Sequence, residues 1–158
     1  MIYKELHYER LDVKKSKNLL NDIITDFKEA GSASKQIDAI KKVDSFSRDY
    51  MTYQAMASLN FSRDINDADA KNEKDYYDSI STDMREVYDQ FDKALHESKY
   101  KDEIIKEYGQ TFLDEIEINL KTFDPKIKDL LKKEIDLKNE YTKLTAGAKI
   151  SYEGKEYN

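Results

Sequence analysis

Cysteine is absent from the 158-residue sequence, and glycine (4 residues) and proline (1 residue) are rare. Without cysteine the chain can have no disulfide framework, no thiolate nucleophile and no cysteine-ligated zinc. The scarcity of helix-breaking residues, together with many Lys, Glu, Asp, Leu and Ile residues, favours a mostly helical protein. A chain of this length fits one domain, residues 1–158, and can bury a substantial core.

The sequence also lacks a long apolar run and a strong excess of one charge. No apolar run approaches the roughly 18 residues that a membrane span needs, and the N-terminal segment lacks the apolar core of a signal peptide. The net charge is −6 with both signs interspersed, which argues against nucleic acid as the main partner. We therefore expect a cytoplasmic protein that has neither a membrane nor a nucleic acid as its partner.

Apolar residues recur at steps of three and four along most of the chain, a spacing typical of helices that pack against antiparallel neighbours. Good N-cap residues precede three of these stripes, namely Asp12, Ser32 or Ser34, and Asp67 or Asp69. The sequence predicts an all-α fold, an antiparallel array of about five to six helices with a C-terminal β-hairpin. The predicted helices span about residues 12–30, 34–65, 70–98, 101–109, 110–122 and 125–148, and the hairpin spans about 149–157.

The last predicted helix carries the most regular apolar stripe in the chain. The members of this stripe are Ile127, Leu130, Glu134, Leu137, Tyr141, Leu144 and Ala148. Asp124 and Pro125 precede it as the expected N-cap and first helical residue. Glu134 alone breaks the apolar pattern, and its carboxylate could pair with a Lys or Arg of a neighbouring helix, reach the solvent-exposed rim or act directly in function. The spacing of the stripe also suits association with another helix.

A tight β-hairpin is predicted directly after this helix. Glu153 and Gly154 supply its turn. Residues with a high β-propensity occupy both arms, namely Ile150, Tyr152 and Tyr157. Because a lone two-stranded hairpin is marginally stable in water, we expect this one to pack on the helices or to pair with another element.

Side chains suited to metal chemistry are few. The pair His96-Glu97 begins like the HExxH zinc motif, but Tyr100 stands where the second histidine would be. The other histidine, His7, is distant in sequence, and one imidazole without a second nearby ligand does not make a zinc site. We therefore interpret His96 as a surface residue near a helix end.

An acidic cluster, Asp64, Asp67 and Asp69, could bind a cation, but it lacks the order, the central glycine and the final glutamate of an EF-hand loop. A solvated turn with helix caps is the simpler interpretation. The sequence contains no phosphate-cradling glycine motif and no Gly-x-Ser-x-Gly elbow. We predict no catalytic, cofactor-binding or metal-binding residue in this chain.

Tyrosine is plentiful, with 12 residues. Tyr76, Tyr77 and Tyr88 lie on or beside the apolar stripe of the third predicted helix. Packing in the core or in a groove wall is the ordinary role of such side chains. The alternative is that they line a peptide-binding surface.

A series of short motifs in a fixed order runs through the second half of the chain. They are Ala94-Leu95, Ser98-Lys99-Tyr100, Tyr108-Gly109-Gln110-Thr111-Phe112, Leu120-Lys121-Thr122-Phe123-Asp124-Pro125, Glu140-Tyr141-Thr142-Lys143-Leu144, Ala146-Gly147-Ala148-Lys149-Ile150 and Tyr152-Glu153-Gly154. In their order and spacing they resemble the oligoendopeptidase F family of thimet-like zinc metallopeptidases. The first half resembles the family more loosely, through Tyr8-x-Arg10 and through Glu73, Tyr76 and Tyr77. An aromatic pair usual in the family is replaced here by Asp69-Ala70.

The resemblance implies that this polypeptide corresponds to the N-terminal helical region of a longer enzyme. Family members run to several hundred residues, and their HExxH helix and zinc-ligand glutamate lie beyond the region matched here. In the whole enzyme this region would help to wall the deep channel that admits short peptides. The resemblance therefore implies zinc in the parent enzyme only, with the catalytic domain of the same polypeptide as partner, and no zinc ligand or catalytic base is carried over to this chain.

If the chain is such a region, the surface that meets the catalytic part is expected to be exposed near the hairpin and on one helix face. Ile150, Tyr152, Tyr157 and Glu134 are the candidate interface residues. The free edge of the hairpin also makes self-association possible. The alternative function is a stand-alone helical protein-interaction module, which would bind its partner through a helix groove or the hairpin edge.

Overall fold

The computed structural model describes residues 8–157, which form six α-helices and a two-stranded antiparallel sheet. The helices are α1 (Val13–Glu29), α2 (Ala33–Arg63), α3 (Ala68–His96), α4 (Lys101–Tyr108), α5 (Gln110–Thr122) and α6 (Lys128–Ala146), and the strands are β1 (Ile150–Tyr152) and β2 (Lys155–Tyr157). The predicted all-α fold with a C-terminal hairpin is confirmed. No helix in this described part has both the length and the apolarity that crossing a bilayer requires.

Side-chain caps explain where the first three helices begin. Asp12 Oδ1 and Ser32 Oγ each accept a hydrogen bond from the backbone N–H three residues on, at 3.0 and 3.4 Å. Asp67 Oδ1 accepts from the N–H groups two and three residues on, at 2.9 and 3.0 Å. These bonds satisfy N–H groups that a helix N-terminus leaves without a backbone partner.

Helix α3 lies at the centre of the array. Helices α1 and α2 pack against it and against each other, α5 and α6 also contact it, and α4 contacts α2 and α5. The most deeply buried side chains of α3 are Tyr77, Met84 and Leu95, each at most 1% exposed. They belong to one continuous core that includes residues of α1, α2, α4 and α5. Short connections after α1 and α2 make the first three helices run antiparallel.

Two junctions set the course of the C-terminal half. Gly109, with a φ of +87°, separates α4 from α5, and any side chain at this position would be strained. After α5, Phe123 is buried, and a 3₁₀ turn over Pro125–Ile127 leads into α6. Asp124 Oδ1 accepts from the backbone N–H two residues on, at 2.9 Å. The capping by Asp124 therefore stabilises this turn, and α6 begins at Lys128 rather than at the predicted position 125.

A polar cluster holds the first described residues against α3. Tyr8 and Arg10 both donate hydrogen bonds to the Glu73 carboxylate, one of them from Arg10 Nε at 3.0 Å. Tyr76 Oη donates to the Leu11 carbonyl oxygen, and the Arg10 guanidinium lies 4.6 Å from the centroid of the Tyr76 ring. The hydrogen bonds from Arg10 and Tyr8 hold the pKa of Glu73 below its usual range, although burial opposes them. The loosely matching motifs of the first half thus meet in one physical cluster.

Asp92 is an acid of α3 whose ionised form the fold disfavours. Burial, with a smaller effect of the nearby Asp89, raises the pKa of Asp92 to about 6, although Arg85 and a hydrogen bond from Asn119 of α5 oppose the shift. An unfolded aspartate has a pKa of about 3.9. Between about pH 4 and pH 6 the folded chain therefore binds this proton more tightly than the unfolded chain, so the contribution of Asp92 to stability falls as the pH rises through that window.

Asp92→Asn removes this charge and should raise the thermal midpoint at pH 7 to 8. The gain should shrink as the pH falls from about 6 to about 4, because Asp92 itself is then neutral in the fold. Thermal unfolding followed by circular dichroism across this pH range measures the effect. Asp22→Asn, at an exposed position of α1, is the matched control and should show no such trend. A gain for Asp92→Asn that is constant with pH, or absent at pH 8, would contradict the assignment.

Candidate functional site

Helix α6 touches the rest of the fold along one face. Leu131, Ile135 and Asn139, spaced one helical turn apart, are half-buried on the side of the helix that contacts α3. No residue of α6 is fully buried. The helix therefore rests on the surface of the core and adds no side chain to its interior.

Two polar links orient α6 on α3. At the start of the helix, Lys128 Nζ lies 3.0 Å from Glu86 Oε2 and also pairs with Asp83. About three turns later, Asn139 Nδ2 donates to Asp78 Oδ2 at 2.7 Å. The hydrogen bond between Lys128 and Asp83 raises the pKa of the lysine and lowers that of the aspartate. Because these pairs are partly exposed, they fix the position of the helix more than they stabilise the fold.

The opposite face of α6 is apolar and exposed. Leu130, Leu137, Tyr141 and Leu144 are 63% to 73% exposed. All four belong to the regular stripe predicted from the sequence, and we call them the α6 apolar face. Single apolar side chains are normal on a protein surface, whereas a contiguous group of them marks an interaction site.

The C-terminal hairpin is uncovered as well. Ile150 pairs with Tyr157 across the strands, and Tyr152 lies two residues from Ile150, so these three side chains share one face. They are 50% to 65% exposed, and no residue of either strand is buried. Glu153 and Gly154 have φ values of 49° and 76°, the two left-handed residues that a two-residue hairpin turn requires. The cover that the sequence predicted for this hairpin is not supplied by residues 8–157.

Glu134 lies at the edge of the α6 apolar face. Its carboxylate pairs with Lys138 of the same helix at 2.6 Å, and its side chain is 55% exposed. Of the alternatives left open by the sequence, the solvent-exposed rim agrees with this position. The pairing is with Lys138 and not with a neighbouring helix, because the spacing of four residues lets the two side chains meet on one helix.

The histidines and aspartates considered above as possible metal ligands do not form one site in residues 8–157. His96 is exposed at the end of α3, and His7 lies outside the described residues. Asp64 Oδ1 accepts a hydrogen bond from the backbone N–H of Asn66 at 3.0 Å, and Asp67 caps α3. Within residues 8–157, no group of three or more His, Asp or Glu side chains is placed to hold a metal ion.

The tyrosines of α3 pack and form hydrogen bonds. Tyr77 is 1% exposed, and burial raises its pKa. Tyr88 Oη accepts from Ser47 Oγ of α2 at 2.9 Å, and Tyr76 belongs to the cluster around Glu73. Tyr77 therefore belongs to the core, and Tyr76 and Tyr88 pack against it.

Sequence periodicity missed which face of α6 packs on α3. The packing face carries the shorter apolar row, Leu131 and Ile135, and the more regular stripe faces solvent from Leu130 onward. The sequence does contain a sign of this second row. A helix with two apolar rows presents more apolar surface than one neighbouring helix can cover, so one row remains for another contact.

The chain was compared with models of protein families and with curated proteins. The family model described as the peptidase M3 N-terminal domain matches residues 3–123. A search of curated proteins found no significant match.

Three solved structures resemble the chain along almost its whole length. A protein described as an oligoendopeptidase F, solved by X-ray diffraction at 3.1 Å, is 32% identical with a TM-score of 0.94, and the match covers 99% of this chain and 28% of that one. PZ peptidase A with an inhibitor is 29% identical with a TM-score of 0.94, covering 99% and 28%. A protein described as an oligoendopeptidase F from Bacillus anthracis strain Ames is 27% identical with a TM-score of 0.92, covering 99% and 29%. The chain thus spans less than a third of the length of the solved chains that it matches.

The exposure of the α6 apolar face predicts how truncations there affect stability. Leu137→Ala should change the free energy of unfolding by less than about 0.5 kcal/mol, because Leu137 buries little surface in this chain. Leu95→Ala, the same chemical change at a fully buried position of α3, should cost about 2–5 kcal/mol. Urea denaturation measures both values. A loss above about 2 kcal/mol for Leu137→Ala would show that this face is covered.

Proposed function

The chain belongs to the family of peptidase M3 N-terminal domains, and from this premise we propose that it is the non-catalytic N-terminal scaffold of an oligoendopeptidase F-like zinc metallopeptidase. In that enzyme, which cleaves short peptides, the scaffold helps to wall the substrate channel. Its partner is the catalytic part of the same polypeptide, and the expected cytoplasmic location is part of the proposal.

The observation that carries the proposal is that the chain matches a segment of much longer peptidases. The exposure of its α6 apolar face and of its hairpin face supports this. Burying one exposed Leu side chain contributes about 1.5–3 kcal/mol. A helix that meets its own core through a short apolar row and polar links, and presents a longer apolar row to solvent, is suited to packing between two parts of one molecule.

The candidate interface follows from these two faces. Ile150, Tyr152 and Tyr157 form the apolar face of the hairpin, and Leu137 and its neighbours form that of α6. Glu134, held by Lys138 at the edge of the α6 apolar face, contributes a polar rim. In the isolated chain the same surfaces can pair with a second copy, since exposed apolar faces and open strand edges favour self-association.

The described residues do not supply a zinc site. His96 stands alone at the end of α3, with Tyr100 at the position of a second ligand, and its neighbourhood brings together no set of three potential ligands within residues 8–157. Three protein ligands are the usual minimum for catalytic zinc. Zinc is proposed for the longer enzyme because of the family to which the chain belongs, and the proposal names no ligand among the side chains of this chain.

The second candidate is a stand-alone helical interaction module. The regular spacing of the α6 apolar face favours it, because a stripe at steps of three and four also fits a helix of a separate protein. The two candidates differ in what covers this face: the continuation of the same polypeptide, or another molecule.

The test compares the chain alone with the product of its gene read through the codon for Asn158, which we call the longer polypeptide. We expect the reading frame to continue into an HExxH helix, the longer polypeptide to cleave a quenched short peptide, and the chain alone to leave the same peptide intact. The matched control is the longer polypeptide with the HExxH glutamate replaced by glutamine. A stop codon after Asn158 would favour the interaction module, and cleavage by the chain alone would overturn the non-catalytic assignment.

A further inference from the structure

A groove of about 310 Å³ runs between α3 and α6. Its walls include Thr82, Arg85, Phe123, Leu131, Glu134 and Ile135. Apolar atoms make up most of the lining surface, and the polar lining residues are Ser81, Thr82 and Arg85 of α3, Thr122 of α5, and Glu134 and Lys138 of α6. The groove therefore opens beside the α6 apolar face and is large enough to take a protruding side chain.

Thr82 is the unusual residue of this groove. It is 3% exposed, and its Oγ1 atom has no hydrogen-bond partner among the described residues. A buried hydroxyl without a partner is unfavourable, because it has lost its hydrogen bonds to water without replacement. The Oγ1 atom itself has almost no accessible surface. A polar group that enters the groove must therefore displace the side chains that cover this hydroxyl before it can bond to it, as donor or as acceptor.

Arg85 supplies a cation beside the same groove. Its guanidinium carbon lies 5.5 Å from the centroid of the Phe123 ring. Asp92 attracts it electrostatically, but within residues 8–157 no hydrogen bond or ion pair holds its five N–H donors. Arg85 is therefore placed to bind an acceptor that comes from outside the described residues.

The charge around the groove indicates what could enter it. The charged residues that line the groove are Arg85, Lys138 and Glu134, and Glu134 pairs with Lys138 on the α6 side. The remaining positive charge, that of Arg85, complements an acidic group. The solved chains that match this one continue far beyond the matched segment, which is 28% of their length in two cases, so the rest of such a polypeptide is the occupant that the comparisons favour.

We propose that the α3–α6 groove receives an apolar side chain from the remainder of the peptidase polypeptide, whose segment also gives a carboxylate or carbonyl oxygen to Arg85 and a hydrogen-bond partner to Thr82. This inference rests on the proposed function and deepens it, because it names the place where the two parts of the enzyme lock together and the chemistry of the segment that enters. A second copy of the chain, or a separate protein, would be the occupant if the proposed function fails.

The experiment compares the direction in which one substitution shifts the thermal midpoint of two proteins, the 158-residue chain and the longer polypeptide. In the 158-residue chain, Thr82→Val keeps the shape of the side chain and removes the hydroxyl that lacks a partner, so the thermal midpoint should rise by about 2–4 °C. In the longer polypeptide the same change removes a satisfied hydrogen bond, so the midpoint should fall. Thr25→Val is the matched control, because Thr25 is exposed and donates to the helical carbonyl of Asn21 at 2.9 Å; it should have little effect in either context.

The outcomes separate this inference from the function that it depends on. Arg85→Met should lower the midpoint of the longer polypeptide by more than that of the 158-residue chain, in which it removes only the attraction to Asp92 and the contact with the Phe123 ring. Leu137→Glu, on the α6 apolar face, tests docking without involving the groove. If Leu137→Glu lowers the midpoint of the longer polypeptide while Thr82→Val raises it, docking stands and the groove inference is wrong. If neither substitution lowers that midpoint, both fail, and a Thr82→Val chain that is no more stable than the parent chain would also overturn the inference.

Discussion

The burial of helix α3 is the constraint on which the rest of the fold depends. Its side chains Tyr77, Met84 and Leu95 are at most 1% exposed, and burying such residues contributes about 1.5–3 kcal/mol each. Helices α1, α2 and α5 contact α3 and share one core with it. Helix α6 meets a side of α3 that carries acidic residues such as Asp78 and Asp83, so it is held there by polar links. The most apolar face of α6 is consequently left toward solvent.

The helices could be predicted from the sequence because their signals are local. Asp12, Ser32 and Asp67 cap helices where the sequence places them, and a capping side chain needs only its own neighbours to act. The start of α6 could not be predicted to the residue. Asp124 accepts a hydrogen bond from the N–H two residues on, and a 3₁₀ turn forms first. This turn directly follows Phe123, whose burial is a tertiary contact that local sequence signals do not show.

The candidate site was predictable only in part, because apolar periodicity shows that a face must be covered and does not show what covers it. Ile150, Tyr152 and Tyr157 share one exposed face of the hairpin, as the alternation along a strand implies. Glu134 forms its ion pair with Lys138, four residues on in the same helix, and not with another element. The groove with Thr82 could not be foreseen, since it is formed by residues of α3, α6 and the junction before α6 that come together only in the fold.

The central claim is that the rest of a peptidase polypeptide covers the α6 apolar face. Hydroxyl-radical footprinting tests it most directly, because it measures the solvent exposure of individual Leu and Tyr side chains in the 158-residue chain and in the longer polypeptide. The account predicts that Tyr141 and Leu144, which are 67% and 73% exposed in this chain, become protected in the longer polypeptide. The exposed backbone edge of the hairpin should gain protection from amide exchange in the same comparison. Equal modification of Tyr141 and Leu144 in the two proteins would contradict the account.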